Sequence, residues 1–334
     1  MNSRVVLAVG SSLLAVAAIV ALVISRPKAN RPVSTAASIS AAPAPNSAQG
    51  AAPSVTKATK APDIYFLSES LAVRDPKKTV TRQMPKANGT RRVIQARAIT
   101  TPEEGDFMAP RWSPDGLELL FSKAGYNGLY TKGSQGGPLN EITGQEGVGF
   151  AAQWEADGQI KTRKNGKKQK FAPDGTPTDA AEFEHDSSLT GTFTKDDTVY
   201  VRANPGEAPV PISPTGDDKY FGGVLSPDGK YVAYNGLVSG LYIAPLDGSS
   251  PPVNLGPGVS PSFLPDGSGI VYSVTEDDGH NLVAGDLFLA SLDGSEVSNL
   301  TQSSGQIEQH PSISSDGSHI AYESGGVIHV GILH

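Results

Sequence analysis

The residues best placed to do chemistry in this chain lie in Lys161-Thr-Arg-Lys-Asn-Gly-Lys-Lys-Gln-Lys170, which packs six cations into ten residues of a protein whose formal charge is -7. Lys161, Arg163, Lys164, Lys167, Lys168 and Lys170 would attract an anionic lipid, a glycan or an acidic protein patch, and they would serve equally as a solvated edge that resists aggregation. Asn165-Gly166 is a type I′ hairpin signal, so the spacing predicts two short basic strands that project from their sheet.

Other reactive groups form no local constellation. The histidines at 185, 280, 310, 319, 329 and 334 have no ligand spacing, although His310 and His319 flank one turn and a ring-shaped fold would bring distant residues together at its axis. Glu276-Asp-Asp-Gly279 and Gly216-Asp-Asp218 offer clustered oxygens without the spacing of a calcium loop, and read as turn acids. Gly-x-Ser-x-Gly, His-Glu-x-x-His, Gly-x-Gly-x-x-Gly and the phosphate-binding loop are missing. Cysteine is missing too, which excludes disulfides, thiolate metal sites and thiol catalysis. The acidic balance argues against nucleic acid, whose phosphates are held by clustered Lys and Arg over a whole surface. No cofactor or metal is expected.

The elements that would position any site come from a repeat. Ala109-Pro-Arg-Trp-Ser-Pro-Asp-Gly116, Gly222-Gly-Val-Leu-Ser-Pro-Asp-Gly229, Pro261-Ser-Phe-Leu-Pro-Asp-Gly267 and His310-Pro-Ser-Ile-Ser-Ser-Asp-Gly317 are copies of one motif, with degenerate copies at Trp154-Glu-Ala-Asp-Gly158 and Phe193-Thr-Lys-Asp-Asp197. The marker carboxylates Asp115, Asp157, Asp196, Asp228, Asp266 and Asp316 recur about every 40 residues, the length of a four-stranded propeller blade. Pro114, Pro227 and Pro265 preset the first central position of a type I turn, and the aspartate that follows bonds back to its own backbone. Gly116, Gly158, Gly229, Gly267 and Gly317 then accept positive φ. Apolar strands follow each turn. Trp112 and Trp154 recur at one repeat position and read as packing between blades.

Repeated Trp/Phe-Ser-Pro-Asp-Gly, an apolar strand, a Leu-Tyr strand, Asp-Gly and Leu-Thr resemble the WD40-like (PD40) repeats of TolB-like β-propellers, over nearly all of residues 63–334. The resemblance implies an all-β propeller of four-stranded blades, bacterial and facing the periplasm. Six markers favour six blades, with Arg92–Thr100 closing the ring; strands read at Ile64–Ser68 and Thr79–Met84 make seven the alternative. True TolB carries an α/β domain ahead of its propeller, and this chain has other material there.

That material is a run from Val5 to Ile24 of Val, Leu, Ile, Ala, Gly and Ser, flanked by Arg4, Arg26 and Lys28. About 20 apolar residues match the roughly 30 Å hydrocarbon core, so residues 1–26 are expected to be a transmembrane anchor, with signal cleavage and secretion the alternative. Residues 27–62 are rich in Ala, Pro and Ser and read as a disordered linker stiffened by Pro43, Pro45 and Pro53.

The expected function is a non-enzymatic, protein-binding scaffold at the bacterial inner membrane, facing an envelope partner. An axial-pocket lyase or hydrolase and an extracytoplasmic ligand sensor are the rivals. Convergence of His, Arg and carboxylates at the axis would favour the enzyme. Replacing residues 1–26 by a cleavable export signal should release a soluble domain; recovery of the native chain already soluble and trimmed near Asn30 would exclude a tether.

Overall fold

The computed structural model describes residues 85–334 apart from 151, 165–166, 180–190, 205, 215–217 and 279. The expected membrane helix, the linker and the strands read at 64–68 and 79–84 lie outside the described residues. No helix among the described residues is long and apolar enough to cross a membrane.

Each marker turn is built as its residues dictate. In the first, Gly116 N donates to Ser113 O at 3.0 Å, so Pro114 and Asp115 are the two central residues of a four-residue turn. Gly116 has φ +73°, and Asp115 Oδ1 accepts from Ser113 Oγ at 2.6 Å and from Leu117 N at 3.0 Å. Pro227 and Pro265 hold the same place, between Ser226 O and Gly229 N in one turn and between Leu264 O and Gly267 N in the other, each bond 2.9 Å. A proline has no N–H to spare, and its fixed φ suits the first central position. The Asp316 turn closes in the same way, Gly317 N to Ser314 O, with Ser315 where the other turns have proline.

The carboxylates repeat as well. Asp228 accepts from Ser226 and Lys230, and Asp316 from Ser314 and Ser318. Asp266 caps Ser268 N, and Asp157 caps Gln159 N, with Gly158 N donating to Glu155 O. Only the third marker departs, because Asp196 and Asp197 both take positive φ, 48° and 60°, and close a two-residue hairpin.

The strands between these turns form six antiparallel sheets. The inner strands are Phe107–Trp112, Gln153–Trp154, Gly191–Lys195, Tyr220–Leu225, Val259–Phe263 and Glu308–Ile313, one for each of blades 1 to 6. Five blades have four strands; blade 3 has three among the described residues. The protein is therefore a six-bladed β-propeller. The outer strand of blade 6 is Val93–Ala98, paired with the C-terminal strand Val327–Leu333. Arg92 N and His334 N each donate to the other's carbonyl, so the ring closes on the segment expected to close it.

Period-two alternation explains the core. The second strand of each regular blade is buried on both faces: Leu119 and Phe121 pack toward blade 6 while Leu120 packs toward blade 2, and Ile270 and Tyr272 pack toward blade 4 while Val271 packs toward blade 6. Apolar clusters join blades 6 to 1, 1 to 2, 3 to 4, 4 to 5 and 5 to 6. Among the described residues none joins blade 2 to blade 3. Trp112 and Trp154 flank two of these clusters, as expected for packing between blades.

The motif's opening residues hold a feature its turns do not show. Ala109, Gly222, Ser260 and His310 all have positive φ, 56°, 70°, 54° and 53°, at matching β-bulges in the inner strands. Three of the four precede proline. Bulges of this kind bend a strand and re-aim its side chains, here along the axis of the ring.

Hydrogen bonds from Ser113, Ser226 and Ser314 hold Asp115, Asp228 and Asp316 below the usual carboxylate range. A carboxylate whose folded pKa is depressed favours the folded state above its unfolded value of about 3.9, and that contribution is lost as pH falls through the lower folded value. The denaturation midpoint should therefore drop on acidification below about pH 4. Combined Asp115→Asn, Asp228→Asn and Asp316→Asn should flatten that drop; an unchanged pH profile would show that the turns do not anchor the blades electrostatically.

Candidate functional site

The basic segment forms the two middle strands of blade 2, Ile160–Lys164 and Lys167–Phe171; the turn at 165–166 lies outside the described residues. Ile160 and Phe171 join the cluster against blade 1, and Thr162 Oγ1 donates to Val148 O on that side. Alternation then turns Lys161, Arg163, Lys168 and Lys170 toward blade 3. Lys161 stands opposite Lys170, and Arg163 opposite Lys168. The cations thus occupy the face that is apolar in the regular blades. Lys164 and Lys167 pair at the strand ends beside the turn.

Like charges directly opposite one another repel, and the fold answers with a carboxylate. Glu155 accepts from Lys161 Nζ at 3.3 Å and from Lys170 Nζ at 2.6 Å. These bonds, that from Lys170 first, hold its carboxyl below the usual range. Arg163 is exposed and Lys164 half-buried beside the turn. Across the joint, blade 3 presents Phe193 stacked on Tyr200 at 5.5 Å, with the Arg202 guanidinium 5.5 Å from the Phe193 ring. The marker turns, from Pro114-Asp115-Gly116 to Pro227-Asp228-Gly229, Pro265-Asp266-Gly267 and Asp316-Gly317, belong to the framework of the blades and not to this segment.

A second assembly, unmarked by local spacing, lies at the axial end where blades 6 and 1 meet. His310, at the bulge of its inner strand, approaches Glu323 with Nδ1 3.4 Å from Oε2, while Glu323 Oε1 accepts from Gly326 N at 3.1 Å. Phe107 N donates to Gly326 O, which draws Asp106 to the same corner; burial and then Glu323 raise its pKa. His329 stacks on Tyr322 at 5.3 Å, and burial lowers its pKa. Tyr126, in the 3-10 turn Ala124–Tyr126, is pushed up by burial, pulled down by Arg111 and raised again by Glu323. Its ring meets Phe150 edge-on at 5.3 Å.

Arg111 lines the axis from the inner strand of blade 1, its carbonyl accepting from Trp154 Nε1 at 3.2 Å. Solvent reaches its side chain, yet the surrounding protein lowers its pKa by desolvation. Both hold for a group that lines a channel through a ring. Of the histidines, which show no local ligand spacing, His310 stands at this corner, His329 stacks on Tyr322 on the face of blade 6 toward blade 5, His319 contacts Trp112 at 6.1 Å, and His185 lies outside the described residues. Among the described residues no group of three His, Asp or Glu is arranged to hold a metal. Asp218, read as a turn acid, is buried and accepts from Val238 N at 3.0 Å and Ser239 N at 2.9 Å, stapling two loops together.

No protein-family model matches this chain, and no curated protein sequence matches it. Among solved structures, that of U3-55K is 9% identical, with a TM-score of 0.51, and the match covers 71% of this chain and 98% of that one. A gluconolactonase from Xanthomonas campestris is 12% identical with a TM-score of 0.49, covering 78% of this chain and 99% of that one. An oligogalacturonate lyase from Vibrio parahaemolyticus is also 12% identical with a TM-score of 0.49, covering 73% and 96%. The likeness to U3-55K bears on the fold alone.

The blade 2 geometry makes Glu155 the counterion of a like-charged pair. Glu155→Gln should lower stability by about 0.5–1 kcal/mol at low salt, with part of the loss recovered at high salt as repulsion between Lys161 and Lys170 is screened. Salt titration of the denaturation midpoint checks this; a salt-independent loss would assign Glu155 a packing role.

Proposed function

We propose that the chain is a non-enzymatic, protein-binding propeller of the TolB-like kind, tethered to the bacterial inner membrane by residues 1–26 and facing a protein partner in the envelope. The observation that carries the reading is the placement of Arg163 and Lys164 at the strand ends beside the second turn of blade 2. The link at 144–149 lies against that hairpin and against Tyr126, so the basic tip belongs to the same loop-bearing end as the axial mouth. Loops held on a rigid scaffold suit recognition without requiring chemistry. Arg163, Lys164, Lys167 and Lys168 form the electrostatic half of the partner site, with Lys161 and Lys170 held by Glu155 at its base, and an acidic protein surface is the other half.

A lyase or hydrolase acting in the axial pocket is the second reading, favoured by the approach of His310 to Glu323 at the inner strand of blade 6. Fold does not separate the two, because one propeller architecture supports both.

Lys164→Glu, Lys167→Glu and Lys168→Glu together should leave folding nearly intact, at about 0.5 kcal/mol or less each. Association with a partner captured from envelope extract should slow and lose its salt dependence. Equal association rates for wild type and triple variant at low and high salt would reduce these lysines to a solubilising surface.

A further inference from the structure

The hairpins of the blades do not reach equally far. Counted from each marker glycine, the second strands of blades 1, 4 and 6 stop at matching places, Lys123, Gly236 and Ser324, and that of blade 2 stops one residue sooner, at Lys164. In blade 5 the ladder between Gly269–Asp277 and Leu282–Ser291 runs on, pairing Thr275 with Gly285, Glu276 with Ala284 and Asp277 with Leu282. Three further pairs at about 3.4 Å each raise its tip by about 10 Å. The extension is braced at its base, where Gly285 N donates to Gln306 O at 3.0 Å. It is braced again at its turn, where Asp278 Oδ1 accepts from His280 N at 2.9 Å and Asn281 N at 2.8 Å.

This raised tip carries Glu276, Asp277 and Asp278 beside His280, with Asp277 and Asp278 exposed. The low hairpin of blade 2 carries exposed Arg163 and half-buried Lys164 beside its turn. Both turns join a second strand to a third, so both lie at the end of the ring opposite the marker turns. Blades 2 and 5 are three places apart in a ring of six, and therefore stand on opposite sides of the axis. Exposed Val283 in blade 5 and exposed Phe150 on the link into blade 2 add apolar surface at the same end.

A face that is high and acidic on one side, low and basic on the other, is complementary to itself. A half-turn about an axis lying in that face sets the raised hairpin of each copy over the low hairpin of the other. The described chain enters at the far end, where Asn88 bonds Ser295 and Val297, so its entry leaves this face clear. We infer that two copies of this chain dock face to face, the Glu276, Asp277 and Asp278 tip of each on the Arg163 and Lys164 edge of the other. This pairing rests on the reading of blade 2 as a site for an acidic protein surface, and that surface belongs to a second copy.

Sedimentation equilibrium of the full chain in neutral detergent tests the pairing. Wild type should dimerise at low salt and dissociate at high salt, because charge contacts between exposed hairpins are screened. Arg163→Glu with Lys164→Glu should weaken the dimer about tenfold or more, and so should Glu276→Lys with Asp277→Lys. Each variant then carries one sign of charge on both hairpins, so an equimolar mixture of the two should restore a dimer that neither forms alone. Should one variant fail to fold, the other and the salt dependence still decide. A wild type that is monomeric up to about 0.1 mM, a dimer indifferent to salt and to both variants, or a mixture no tighter than its components would overturn the pairing. If wild type stays monomeric while the blade 2 variant still binds the captured envelope partner more slowly, the pairing fails and the reading of blade 2 stands.

Discussion

Everything in this molecule depends on one strand pairing, the antiparallel ladder between Val93–Ala98 and Val327–Leu333. A row of sheets packed face to face has two open ends, each with an apolar face that must be covered. Joining the first described strand to the last blade removes both ends at once. It brings Ile99, Ile328 and Val330 of blade 6 against Phe107, Leu119 and Phe121 of blade 1. The axial corner that gathers Asp106, Tyr126, His310 and Glu323 exists only because this joint is closed.

Inter-blade packing then sets what each residue can do. The second strands are buried on both faces mostly by apolar side chains, and fully burying a Leu, Ile or Phe contributes about 1.5–3 kcal/mol. Blade 2 breaks the rule on the face toward blade 3, where cations replace apolar residues. Within blade 2 Glu155 is their counterion, and within blade 3 Phe193 stacks on Tyr200.

How much of this the sequence reveals depends on how local the signal is. The marker turns are legible because Pro114, Asp115 and Gly116, and their copies at Pro227 and Pro265, act within four residues. The strand that closes the ring is legible as an unpaired strand ahead of the first complete repeat. The inner-strand bulges escape because Ala109 and Ser260 are poor candidates for positive φ, and only Gly222 advertises it plainly. The basic run is legible as composition, but its face is not, since only the register with blade 1 shows that Ile160 and Thr162 take one side and Lys161 and Arg163 the other. Asp106 and Glu323 share no local spacing, because ring closure rather than sequence proximity brings them to one corner.

The closing ladder also governs biosynthesis. As the chain emerges from the ribosome, Val93–Ala98 must wait for nearly the whole remaining chain before its partner strand exists, and an unpaired strand edge invites association with other chains during that wait. The strand is suited to waiting: Gln95 interrupts its regular pairing at a bulge, and Arg97 places a charge on it. Closure by a late, distant pairing has high contact order, so the final step of folding should be slow and should fall after synthesis is complete. A nascent propeller of this design is an open, C-shaped intermediate, and the time it spends open is the interval in which chaperones or export machinery can hold it.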